Sequence, residues 1–319
     1  MRRLLAILAI PFLLAPLSGA ADVDPSIGPV PVSALGPASQ QAADPRLPHL
    51  IGTEDPSTRA LWLRGLELED RGSRAEAIDV YQLIAPRIPS SAQAQWRIAR
   101  MHWLIGDLMP NNESQDSPSY DQYVLAEKWA RRGLEIDSKC AECMLWLYAA
   151  LGRITVCEGL LSGVKYVRTM SNLLDDGIAL RPNYRDSDFN STLGNLYYAR
   201  AIFNRMVPDW WWLKILVGAR GDKEQALEDI DDALALNGNR IDYQVEKGAV
   251  LMCLGTSKKR DYRIEQGRQV LREAMTFERR LETDKIDLML ARQMIENPAN
   301  ACGFTRGGFV DIEGEAKKL

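Results

Sequence analysis

Residues 60–89, ALWLRGLELEDRGSRAEAIDVYQLIAPRIP, decide the fold. From Ala60 to Arg71 the apolar residues Leu61, Leu63, Leu66 and Leu68 lie on an otherwise charged stretch, which predicts a helix buried on one side. Gly72 ends it. A second helix follows from Arg74, with Ala77, Ile78, Tyr81 and Ile84-Ala85 at three- and four-residue steps, until Pro86 and Pro89 forbid continuation. Gly65 and Ala77 carry little bulk where the two helices would cross, so their backbones can approach closely. One pair of this kind cannot bury both of its apolar faces, and further pairs must stack on it.

The rest of the chain supplies them in degraded form. Ile98, Ala99 and Gly106 repeat the spacing of the first helix, and Ala126, Gly133 and Ser138 that of the second. The segment between, Leu108 to Tyr120, is rich in Asn, Ser, Asp and Pro and reads as an exposed loop. A third pair, Cys143 to Ile154 and Val164 to Ala179, is inferred from its place and length and closes at Leu180-Arg-Pro182. Leu193-Gly194, Tyr197, Ala226, Ala233 and Gly238 mark a fourth pair, and Gly248, Gly255, Gly267, Leu271 and Ala274 a fifth. A last helix, Glu282 to Glu296, sets Ile286, Leu290 and Met294 on one face with Met289 beside them, and caps the stack. No strand is required.

The small, aromatic and proline positions Trp62, Gly65, Gly72, Ala77, Tyr81 and Pro89 resemble a tetratricopeptide repeat, so the expected fold is all-α, a tetratricopeptide-like helical-hairpin solenoid with long insertions and a C-terminal capping helix. Three further segments make the likeness narrower. They are Ala94-Gln-Trp96-Arg-Ile-Ala-Arg100, Ala126-Glu-Lys-Trp-Ala-Arg-Arg-Gly133-Leu-Glu-Ile-Asp137 and Leu193-Gly194-Asn-Leu-Tyr197. With the acidic Asn/Ser-rich loop, they resemble the T-component family associated with bacterial TRAP transporters, and are similar to the eukaryotic regulator of microtubule dynamics family. The likeness runs from about Arg59 to Glu278. It implies an accessory role in periplasmic solute capture beside a substrate-binding protein or transporter component, possible homo-oligomers, and a binding surface on the first helices of the pairs. T-component proteins are often lipoproteins, whereas here no cysteine stands at the expected cleavage site.

Arg2-Arg3, the apolar run Leu4 to Ala15 and Ser18-Gly19-Ala20-Ala21 have the order of a secretory signal peptide, residues 1–21, which places the chain in the periplasm or otherwise outside the cytoplasm. No membrane span is expected after cleavage. Residues 22–57, with seven prolines from Asp22 to Pro56, read as a linker; residues 58–298 are the solenoid and 299–319 a loosely held tail. The net charge of −4 becomes −6 once Arg2 and Arg3 are removed, which argues against nucleic acid as a partner.

Five cysteines include Cys140-Ala-Glu-Cys143 at a predicted helix start. A redox pair there would need a preceding strand, and zinc would need ligand spacing that Cys157, His49 and His102 do not offer, so the pattern favours packing residues or structural disulfides. An odd count leaves at least one thiol free or intermolecular. No nucleophile-base pair or phosphate-binding glycine loop is recognisable, so neither catalytic residues nor a cofactor is expected.

The candidate ligand residues are Trp62, Trp96, Arg100 and Trp103 on first helices, with Asn195 and Tyr198 on a later one. Interhelical packing is the competing reading for each Trp. An aromatic wall with one guanidinium would suit an anionic or amphipathic ligand, and Arg100 is expected to be exposed, so that its replacement changes binding and spares the fold. Trp210, Trp211 and Trp212 open an apolar segment reaching Val217, expected to fold back into the stack, with an exposed partner or membrane patch as the alternative. The functional expectation is an exported, non-enzymatic binding protein for solute capture. The alternatives are an envelope scaffold holding peptide segments and, last, a redox protein using Cys140 and Cys143.

Overall fold

The first helix begins where Asp55, placed before Pro56, accepts hydrogen bonds from the Ser57 and Thr58 amides. That cap satisfies free amides of the first turn, and proline at the first position forfeits no helical hydrogen bond. Helix α1, Pro56–Asp70, is followed by Gly72 at φ 74° and α2, Arg74–Ile84. A side chain added at Gly65 would collide with the Tyr81 ring, so the small residue is what lets α2 cross α1 closely. Trp62 is 0 % exposed, lies 5.7 Å from the Tyr81 ring and donates its indole N–H to the Ile51 carbonyl at 3.1 Å.

The computed structural model describes Asp44, residues 46–110, residues 113–312 and Gly314. Those residues hold twelve α-helices. The second pair is α3, Gln93–Leu108, with α4, Pro118–Ile136; the third is α5, Ala141–Glu158, with α6, Leu160–Ala179. In the fourth, α7, Thr192–Met206, packs on α9, Lys223–Asn237, and the short α8, Trp211–Val217, is inserted between them. The fifth joins α10, Ile241–Lys258, to α11, Asp261–Ala274, and α12, Asp284–Glu296, packs on α10 and α11. The five expected pairs and the cap are therefore present, and the fold is a tetratricopeptide-like α-solenoid. The expected signal peptide and most of the expected linker lie outside the described residues.

Four differences from the sequence expectations have local physical causes. Arg46 to Leu50, placed in the linker, pack on the first pair: Leu47 and Leu50 are buried there, and Arg46 forks between Asp44 and Asp70. Two short hairpins exist where no strand was required, β1 Arg185–Ser187 with β2 Asn190–Ser191, and β3 Phe304–Thr305 with β4 Gly308–Phe309. The expected loose tail is held: Ala301 and Phe304 are buried against α12, Cys302 is joined to Cys253 of α10, and Arg205 donates to the carbonyls of Ala301, Cys302 and Phe304. On the capping helix Leu290 and Met294 are buried and Ile286 half-buried, while Met289 faces solvent.

The crossing of the second pair repeats the logic of the first. A Cβ at Gly106 would sit 2.7 Å from Tyr123 Cε1 and 3.1 Å from the Ser119 carbonyl oxygen, so α4 and its buried tyrosine leave room for hydrogen alone. Gly106→Val is expected to cost about 1–3 kcal/mol by overpacking, read as a lower urea midpoint with an unchanged slope.

Candidate functional site

The first helices of successive pairs, α3, α5, α7 and α10, share one face of the stack, as the 3.6-residue period requires of positions three and four apart. On α5 these are Glu142, Leu145, Trp146, Ala149, Gly152 and Val156, which all line one cavity of about 820 Å³. The β1–β2 hairpin adds Asp186, Tyr184 enters just before it, and the C-terminal segment adds Phe304 and Arg306. The N-terminal halves of α5, α7 and α10 bring polar groups, Glu142, Asn195 and Asp242. Apolar ones, Val156, Ile202 and Met206, come from the C-terminal halves of α5 and α7, with Val164 and Val167 from the start of α6.

The C-terminal segment spans the inner face because charge fixes it there. Arg306 donates to Asp287 of α12 at 3.0 Å and to Asp107 of α3 at 2.9 Å, and both carboxylates are buried. Thr305 donates its hydroxyl to Glu113, and Arg74 of α2 pairs with Glu282 at 2.5 Å. The second pair and the cap are thus tied across the cavity.

Its shielded arginines are already neutralised, whereas the exposed Arg280, over the Phe189 ring, pairs with no carboxylate among the described residues. Arg100 meets Asp186 at 2.7 Å and Glu69 at 3.6 Å; Arg240 meets Asp242 at 2.6 Å, and Arg205 meets Glu246 at 2.6 Å. Burial alone would raise the Asp186 carboxyl, but Arg100 and Arg97 outweigh it and hold the group below its ordinary value. For Asp287 burial wins over Arg306, and the pKa is raised to about 6. Glu142, accepting from the Thr192 hydroxyl at 3.0 Å, is also raised by burial.

The expected ligand residues divide accordingly. Trp96, Trp103, Arg100, Asn195, Tyr198 and Trp210 line the cavity. Trp62 does not: it is core, because Tyr81, Ile51 and the buried Arg97, whose guanidinium lies 5.9 Å from its ring centre, enclose it. Arg100 lines the cavity with its cation matched to Asp186 and mostly shielded, which corrects the exposed placement expected of it. Asn195 is engaged, accepting from Tyr243 at 2.7 Å and donating one amide N–H to Asn190 at 2.8 Å, and Tyr198 stacks on Tyr243 at 4.6 Å. Trp211 is 69 % exposed, so the segment expected to fold back presents bulk to solvent; the Trp212 side chain lies outside what is described.

Sequence reading did not single out Trp146, Tyr184, Asp186, Arg240 or Arg306. The period of the α5 face could have found Trp146. Arg306 sat in a glycine-rich tail whose partners are 19 and 199 positions away, and no local signal marks it. The Cys140–Cys143 and Cys253–Cys302 pairs are disulfides, and Cys157 takes part in neither.

Residues 64–208 match the family model described as Regulator of microtubule dynamics protein 1-3. Among solved structures, a thermophilic tetratricopeptide-repeat protein of Thermus thermophilus is similar, with a TM-score of 0.50 at 14 % identity over 74 % of this chain and 99 % of that one. No curated protein matches the chain. Both likenesses describe a tetratricopeptide-like protein.

Two outcomes are expected. Arg100→Ala leaves Asp186 without its cation, while Glu69 keeps Arg97, and costs about 3 kcal/mol in a urea melt, as broken buried pairs do. The second concerns Asp287. Its folded pKa stands above the ordinary 3.8, so the stability it contributes is complete below about pH 4 and is lost as pH rises through 6. Because asparagine does not titrate, the stability of the native chain relative to Asp287→Asn should fall by about 3 kcal/mol between pH 4 and 7 and then level off. Parallel pH-dependent melts of the two proteins check it, and a flat difference would remove the role given to burial.

Proposed function

We propose that this chain is a non-enzymatic binding protein that holds a small amphipathic molecule inside its tetratricopeptide-like stack, as an exported accessory component of solute capture or transport. The observation that carries the reading is the cavity of about 820 Å³, a volume suited to one small ligand rather than to an extended chain. Its aromatic and aliphatic wall would supply affinity, while polar groups at the helix N-terminal ends orient the ligand's polar part without needing to neutralise it. The matched arginines argue for an amphipathic rather than a strongly anionic ligand.

Export is supported by the order of charged, apolar and small residues at the N-terminus and by four cysteines paired as disulfides, a chemistry suited to an oxidising compartment. The contacts of Arg306 and Thr305 across the inner face leave less room for a peptide segment, which favours solute over scaffold.

Gly152 offers a test that leaves the fold alone. It lines the cavity, and a Cβ there would find Met170 Cε at an ordinary 3.8 Å, so a larger side chain enters the cavity and also improves helix propensity. Gly152→Phe should weaken binding of the amphipathic probe 1-anilinonaphthalene-8-sulfonate at least tenfold, with the melting temperature held or raised. Equal affinity in a fluorescence titration would place the probe, and the proposed site, elsewhere.

A further inference from the structure

Helix α8 is the one place where the described chain turns large apolar side chains outward together. Trp211 is 69 % and Ile215 71 % exposed, and a four-residue step puts them on one face. The helix packs on α6, and Arg168 of α6 lays its side chain against Gly218 at the end of α8, with Cδ 3.2 Å from where a Cβ would stand. Around the two apolar residues are three exposed cations, Arg168, Lys214 and Arg220. Among the described residues none of the three takes part in an ion pair. From Met206 to Arg220 the only carboxylate is Asp209, whose backbone oxygen, not its side chain, receives Arg220.

We infer that α8 docks the protein on an anionic membrane surface, Trp211 and Ile215 entering the interface and Arg168, Lys214 and Arg220 facing lipid phosphates. The inference stands apart from the cavity and its proposed ligand. Two observations select this occupant. The two exposed side chains described are far too little for a stable protein interface, which buries about 800 Å² per partner, whereas shallow insertion beside basic residues suffices for interfacial attachment. A second copy of this chain, meeting the patch about a twofold axis, would set unmatched cations against themselves. An anionic surface matches them, and an indole ring is at home between headgroups and acyl chains. No described helix is long and apolar enough to cross a membrane, so the contact is peripheral as far as the described residues go.

The test uses the full chain with vesicles of phosphatidylcholine alone or with about 30 % phosphatidylglycerol, followed by hydrogen exchange. Site-specific protection is needed because the apolar run near the N-terminus could itself bring the chain to lipid. Amides of 210–218 should gain protection with the anionic vesicles, less with phosphatidylcholine alone, and lose it when salt is raised. Trp211→Glu with Ile215→Glu should abolish that protection while leaving the melting curve unchanged. Lys214→Ala should weaken it roughly fivefold, the effect of one basic residue near a charged surface. Protection that falls only outside 208–220, or that survives the double substitution, overturns the inference. So does sedimentation showing that the double substitution dissolves a dimer, since the face would then belong to a second copy.

Discussion

The guanidinium of Arg306, held between Asp107 of α3 and Asp287 of α12, is the contact on which the inner face depends. A buried cation cannot be left unmatched, and neither can the two buried carboxylates, so the three must be brought together if the C-terminal segment folds inward at all. Arg205 does the same for the backbone of that segment, donating two N–H groups to Glu246 while its remaining N–H groups satisfy three carbonyls. With the Cys253–Cys302 link these contacts turn what would be an open groove into a bounded cavity. The same requirement explains why the buried lining arginines come with carboxylates: near-complete desolvation makes pairing a condition of folding before it can serve a ligand.

Close crossings set where those charges fall. Glycine on a first helix opposite tyrosine on the second, at Gly65 with Tyr81 and Gly106 with Tyr123, fixes how near the helices of a pair lie. That distance turns the opposite faces of α3, α5, α7 and α10 toward one space. Buried Arg97 belongs to the same geometry, with the Trp96 ring 4.4 Å from its guanidinium and Glu69 at 3.2 Å, which ties the first pair to the second before any inner surface exists. A repeat built this way leaves its inner face free to vary, and binding chemistry can be written on it without touching the crossings.

Helix α8 shows the converse case. Its bulk arrives in a seven-residue helix inserted between α7 and α9, too short to cover both of its own faces by packing on α6 alone. The apolar content of 210–217 could be counted from the sequence, but its direction depended on which side α6 occupies.

Periodicity and punctuation were enough for most of the paired helices, though not for the two hairpins. The apolar steps of 60–84, Gly72, Pro86 and the recurrent small residues determine helices, their pairing and the tetratricopeptide-like stack, because each of these is a local property of spacing and backbone freedom. Part of the site was legible for the same reason: Trp96, Arg100 and Trp103 lie on one α3 face and do line the cavity. Sequence could not say that Trp62, also on a first helix, would be sealed by Ile51 and Arg97, nor that Arg100 would find Asp186, 86 positions away. Nor could it show that a glycine-rich end would be drawn across the inner face by Asp107 and Asp287. Charge pairing acts through space and carries no period along the chain, so only the tertiary structure decided which cations were already spoken for and which face of α8 met water.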